Sequence, residues 1–69
     1  MGIARIERNL YVGFWAGSSG GSEVARIPTS GGAPTPFLTG FGSPVIAVGA
    51  KGRTLYVGDA SGAIWQARA

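Results

Sequence analysis

The chain has 69 residues, of which 45% are apolar and 13% charged, and its formal net charge is +3 at neutral pH. It contains no Cys and no His, which excludes metal sites built on thiolate or imidazole, Cys nucleophiles and Ser-His-Asp triads. A domain this short buries only roughly 60% of the surface of its unfolded chain. We therefore expect apolar surface that is covered by other copies of the chain or by the rest of a larger protein.

No apolar run approaches the roughly 20 residues that a membrane-spanning helix needs. Arg5, Glu7 and Arg8 interrupt the segment in which a signal peptide would have its apolar centre. We expect a soluble chain with no membrane partner. The compartment stays open, because a lack of Cys is compatible with any redox environment.

The apolar residues recur at strand spacing, and helix spacing is nearly absent. Short apolar runs separated by Gly, Ser, Pro or Asp predict seven strands near residues 3–6, 10–15, 23–28, 34–39, 44–49, 54–58 and 63–68. Seven short strands at intervals of about ten residues are typical of a sandwich, a barrel or a propeller.

An internal repeat distinguishes among these folds. The tetrapeptide Leu10–Gly13 (LYVG) recurs 45 positions later as Leu55–Gly58. Two further pairs match at offsets of 43 and 40 residues, namely Ile3-Ala4 with Ile46-Ala47 and Val24–Arg26 with Ile64–Gln66. A unit of about 40 to 45 residues with four short strands has the spacing of a β-propeller blade.

We predict an all-β fold of about two β-propeller blades, built from seven short antiparallel strands. Residues 1–40 form the first blade-like repeat, and residues 41–69 form a second, incomplete one. Pro34 and Pro36 suit an outer strand, because Pro is confined to edge strands, strand starts and bulges. Propellers close with typically 4 to 8 blades, so oligomerisation of roughly two to four chains, or a missing parent chain, would complete the ring.

The order of these elements resembles the repeat of the NHL and SMP-30/gluconolactonase/strictosidine-synthase-like propellers. The resemblance rests on LYVG, VARIPTSGG, APTPFLTGFGSP and VIAVGAKGRTLYVGDASGAIWQARA, and it covers most of residues 3–68. For the SMP-30-like enzymes it implies a divalent cation such as calcium, held at the central channel by carboxylates and an Asn. Asp59 is the residue that would act as metal ligand here, although Phe14 stands at the matching place in the first repeat.

The three carboxylates have simpler interpretations as well. Asp59 lies two residues before Ser61, which is typical of an Asp that caps its own turn. Nothing in the spacing of Glu7 and Glu23 brings them together, and we expect both to be surface charges. We accordingly predict no catalytic residue and no required cofactor.

Aromatic residues are the other candidates for a site. Phe14 and Trp15 precede the Gly/Ser-rich segment 17–22, and together with Trp65 they are candidate ligand-binding residues for a sugar or an apolar ligand. For Phe14 and Trp15 we favour the alternative that they complete the hydrophobic face between blades. Gly40-Phe41-Gly42 is not a phosphate-binding loop, because a predicted strand follows it where such a loop needs a helix.

Three hypotheses about function follow. The chain is a non-catalytic propeller module that binds ligands or serves as a scaffold and assembles with other copies of itself. Alternatively, it is a fragment or subunit of a metal-dependent lactonase or esterase of the propeller type. The third alternative is a small basic β-barrel that binds nucleic acid, which we do not favour because the six Lys and Arg residues do not gather in the sequence. The first hypothesis rests on fold analogy and on the lack of His and Cys.

Overall fold

A computed structural model describes residues 2–15 and 22–69, which form seven β-strands. The strands are β1 (Gly2–Ile6), β2 (Asn9–Trp15), β3 (Ser22–Pro28), β4 (Thr35–Phe41), β5 (Val45–Lys51), β6 (Thr54–Asp59) and β7 (Ile64–Arg68). The all-β class is confirmed, and the strands begin and end within two residues of the predicted bounds. Within the described residues there is no helix long and apolar enough to cross a membrane.

The strands form two antiparallel sheets. The first sheet has the order β1-β2-β3-β4, and the second has the order β5-β6-β7. Gly13 lies opposite Gly2 and Val24 in the first sheet, and Gly58 lies opposite Ala47 and Ile64 in the second. Counting outward from these glycines assigns residues 47–51 of β5 and every residue of β6 and β7 a corresponding residue in β1, β2 and β3.

This register corrects one detail of the sequence comparison. Ile3 lies opposite Val12, and the residue opposite Val57 is Val48. Ile3 therefore corresponds to Val48 and not to Ile46. Ile3 and Val48 are 45 positions apart, as the two LYVG copies are, because a two-residue turn joins β1 to β2 and another joins β5 to β6. A separate register shift between Val45 and Ala47 inserts Ile46 into β5 as an extra residue.

The core lies between the two sheets. Side chains alternate between the faces of a strand, so every second residue of β2 and of β6 points toward the other sheet. The buried apolar side chains are Ile6, Tyr11 and Val24 from the first sheet and Val45, Leu55 and Val57 from the second. The face that carries Tyr11 and Gly13 thus packs on the face that carries Leu55 and Val57.

The sheets approach most closely where β5 crosses β1 and β2. A Cβ atom on Gly2 would overlap the backbone of Val48, and one on Gly13 would overlap Val45 Cγ1. The buried Ser22 hydroxyl also accepts a hydrogen bond from the Val45 backbone N–H at 2.9 Å. From this tight side the two sheets diverge toward β4 and β7.

Candidate ligand-binding cleft

A cleft opens where the sheets diverge, between the edge strands β4 and β7. Its volume is about 440 Å³, which lies within the roughly 300 to 1,000 Å³ of typical ligand sites. Its lining residues are Leu38, Thr39, Gly40, Phe41 and Gly42 on one wall and Trp65, Gln66 and Ala67 on the other. The cleft therefore offers apolar side chains and glycine backbone to a ligand.

Two aromatic rings dominate the cleft. Trp65 lies opposite Val57, and because Val57 is buried toward the first sheet, Trp65 points to the same side. The Trp65 and Phe41 ring centroids are 5.9 Å apart with an interplanar angle of 76°, which is an edge-to-face contact. Trp65 still exposes 51% of its surface, so it can contact a ligand.

Asp59 sets the orientation of this indole ring. The Trp65 Nε1–H group donates a hydrogen bond to Asp59 Oδ2 at 2.8 Å. The other carboxylate oxygen accepts hydrogen bonds from the backbone N–H and the hydroxyl of Ser61. The Ser61 hydroxyl, followed by the Trp65 indole, lowers the pKa of Asp59. The carboxylate is thus ionised at neutral pH and fixes both its own turn and the adjacent indole.

The sequence presents Asp59 either as a turn-capping residue or as a metal ligand. Its hydrogen bonds to Ser61 are those expected of a turn cap. Glu7 instead accepts a hydrogen bond from Arg53 at 2.6 Å, and Glu23 lies in β3 opposite Phe14. Among residues 2–15 and 22–69, no three carboxylates form a metal-binding group. The metal-ligand role of Asp59 stays a prediction from the resemblance.

The three aromatic candidates lie in different places. Trp65 lines the cleft, whereas Phe14 is on the far face of the first sheet, because its neighbour Gly13 points toward Val45. The side chain of Trp15 lies outside the described part of the chain. Phe41 was not predicted as a site residue. The sign in the sequence that could have pointed to Phe41 is its position at the end of the apolar segment that forms β4.

Four of the six basic residues lie at the end of the molecule opposite to Asp59, which differs from the sequence-based expectation. Arg8 lies in the β1–β2 turn, Arg53 in the β5–β6 turn, and Lys51 and Arg68 are each paired with Thr54. The ion pair between Arg53 and Glu7 shows that the two turns lie at the same end, and it pairs one of these cations with a carboxylate. The aromatic pair of the cleft lies toward the other end of β7. Single-stranded nucleic acids need cations and aromatic rings on one surface, and here the two are separated.

Comparisons of this chain with protein-family models, with curated proteins and with solved structures gave no match. The assignment of function therefore rests on the geometry of the two sheets and of the cleft.

Proposed function

We propose that this chain is a non-catalytic β-propeller module that assembles with further copies of itself into a closed ring and acts as a binding or scaffold unit. The observation that supports this proposal is a correspondence between the two sheet faces buried inside the chain and the two faces left outside. Each outer face has the chemistry of a face that is already packed in the core.

The outer face of the second sheet carries Tyr56 and Gly58, which correspond by register to Tyr11 and Gly13. Tyr11 is 2% exposed under the second sheet, whereas Tyr56 is 39% exposed. On this same face Ile64 exposes 77% of its surface. The second sheet thus presents to the outside the kind of surface that the first sheet buries.

The outer face of the first sheet resembles the face of the second sheet that is buried inside the chain. Leu10 and Val12 correspond to Leu55 and Val57, which are fully buried against the first sheet. Ile3 lies opposite Val12 on this outer face and is 61% exposed. A second copy that places this face on the Tyr56 face of the first copy repeats the packing found inside the chain.

Such a contact joins two different faces, so it leads from one copy to the next until the rotation closes a ring. Closure at 4 to 8 sheets requires roughly two to four chains. In the ring each chain contributes one cleft with Trp65 and Phe41 at its wall. We propose that these clefts bind ligands with an apolar face, such as a sugar ring.

The absolute mass in solution, measured by light scattering after size exclusion over a hundredfold range of protein concentration, tests the assembly. We expect a discrete multiple of the 7.0 kDa chain mass. A monomer at every concentration would contradict the proposal.

The variant Gly58→Val tests the proposed interface. Within its own chain a Cβ on Gly58 meets only the Ala47 Cβ, at 3.8 Å, so we expect the fold to persist. Gly58 corresponds to Gly13, where a Cβ would overlap Val45 Cγ1 of the facing sheet. A side chain at Gly58 should therefore overlap the sheet of the next copy in the same way and block its docking. Gly42→Val is the matched control, because a Cβ there has no neighbour within 4 Å and lies outside the proposed interface. Assembly that survives Gly58→Val would exclude this interface.

A further inference from the structure

We infer that the outer edge of β7 is a docking site for an added β-strand, supplied by an uncharged, extended peptide segment with the aromatic pattern of β4. This inference goes beyond the proposed assembly, since it concerns the backbone edge of the second sheet and not its faces. It holds for a single copy of the chain as well as for a ring.

Within residues 2–15 and 22–69 the second sheet has one strand fewer than the first, and no strand pairs with the outer side of β7. By register β7 corresponds to β3, which lies between β2 and β4. In β3, beside β4, Val24 and Ala25 expose 0% and 3% of their surface. The corresponding residues of β7, Ile64 and Trp65, expose 77% and 51%. Val24 is buried because it faces the second sheet, so its comparison with Ile64 reflects a missing neighbouring face. Ala25 pairs with Pro36 of β4, whereas the corresponding Trp65 has no strand beyond it within the described residues.

The hydrogen bonds of the second sheet show which backbone groups face this edge. Asp59 N–H donates to Ala63 O at 3.1 Å, and Ala69 N–H donates to Arg53 O at 2.8 Å, so Ala63 and Ala69 are directed toward β6. Backbone direction alternates along an antiparallel strand. The N–H and C=O groups of Ile64, Gln66 and Arg68 therefore point outward from β7, where the described part of the chain supplies no pairing strand.

The two edge strands differ in how well they accept another strand. Proteins protect their sheet edges with Pro, charged residues and irregular backbone. The β4 edge has Pro36 and the positive φ of Gly40, at 86°. The β7 edge has neither Pro nor Gly, and its first charged residue is Arg68, at its end. The β7 edge is thus the receptive one, and the cleft runs beside it.

The chemistry of the occupant follows from β4. This strand has no charged residue and carries Phe37 and Phe41 four positions apart. Phe37 packs edge to face on Tyr11, with ring centroids 5.0 Å apart. Tyr56 corresponds to Tyr11 and is 39% exposed, so an aromatic residue on the added strand would cover it. Residues on the other face of that strand would enter the cleft beside Trp65. Strand addition of this type combines main-chain pairing with side-chain pockets.

A synthetic peptide with the sequence of residues 33–42, labelled with a fluorophore, is the probe. Binding is measured by fluorescence anisotropy with the chain in excess. We expect saturable binding, and we expect at least a tenfold loss when both Phe residues of the peptide are replaced by Ser. Absence of saturable binding to the wild-type chain would overturn the inference.

Two substitutions at Gln66 separate backbone pairing from side-chain contact. Gln66→Pro removes the outward N–H and leaves the β6 pairing intact, so circular dichroism should stay unchanged while affinity falls at least tenfold. Gln66→Ala keeps that N–H and removes only side-chain atoms, so it should lose less affinity than the Pro variant. Equal affinity of the Pro variant and the wild type would exclude strand addition.

The same measurements in the Gly58→Val background distinguish this inference from the proposed ring. We expect peptide binding there even though assembly is blocked, and loss of binding would contradict the inference for a single copy of the chain. A wild-type oligomer that dissociates on Gln66→Pro but not on Gly58→Val would show that a second copy occupies the edge, which would overturn the choice of a peptide as its partner.

Discussion

At the scale of single residues, Asp59 links the turn after β6 to the indole in the cleft. The hydrogen bonds from Ser61 and Trp65 lower its pKa relative to the unfolded chain. A carboxylate with a lowered pKa stabilises the fold at pH values above its unfolded pKa of about 3.9, and this contribution is lost as the pH falls through the folded pKa. Acid should therefore weaken the fold and release the indole together.

We expect Asp59→Asn to reduce the dependence of stability on pH in this acidic range, because the amide does not titrate. The measurement is the free energy of unfolding by urea between pH 2 and pH 7. Glu23→Gln is the control, because it removes a carboxylate in β3, away from the Asp59 turn and the indole. An Asp59→Asn curve parallel to that of the wild type would contradict the assigned role.

Ser22 is a second residue with a specific role, because its buried hydroxyl satisfies the backbone N–H of Val45 in the other sheet. Ser22→Ala leaves that N–H without its acceptor, which should cost about 1 to 3 kcal/mol of unfolding free energy. Equilibrium urea unfolding measures the loss, with the exposed Ser30→Ala as control. Equal stability of the two variants would mean that water replaces the hydroxyl.

At the scale of the elements, the closeness of β2 and β5 depends on Gly13. We expect Gly13→Ala to destabilise the chain by about 1 to 3 kcal/mol through overpacking against Val45. Gly58→Ala should change stability much less, because its Cβ makes only an ordinary contact with Ala47. Thermal unfolding compares the two variants under conditions in which both are monomeric.

The substitution Val45→Ala tests whether the destabilisation by Gly13→Ala comes from contact with the Val45 side chain. If it does, the double variant Gly13→Ala/Val45→Ala should lose less stability than the sum of the losses of the two single variants, because the smaller side chain in place of Val45 leaves room for the new Cβ. Strict additivity would place the strain of Gly13→Ala elsewhere.

The positions of the strands could be predicted from the sequence, whereas their pairing and packing could not. Each strand is visible locally, because alternation and turn residues act over a few positions. The extension of β4 to Phe41 and the insertion of Ile46 were not visible, since both depend on pairing with distant strands. The contact of Phe41 with Trp65 depends on how two sheets pack, and no spacing of residues encodes it. The gathering of cations at one end likewise becomes apparent only when the hairpins are placed side by side.

At the scale of the whole molecule, assembly should couple stability to protein concentration. Partners that bind only the folded state raise the Tm by mass action. We expect the Tm to rise steadily with the logarithm of concentration, where about 1 kcal/mol corresponds to roughly 4 to 8 °C for a domain of this size. Differential scanning calorimetry over a hundredfold range measures this, and the Tm of Gly58→Val should not vary with concentration.

The basic end has a consequence for the proposed ring that depends only on symmetry. Rotation about a single axis keeps every subunit pointing the same way along that axis. The turns with Arg8 and Arg53 would therefore all lie on one side of the disc, and the Asp59 turns on the other. A modest charge difference along one chain thus becomes a disc with one cationic side, even though Glu7 pairs with Arg53 there.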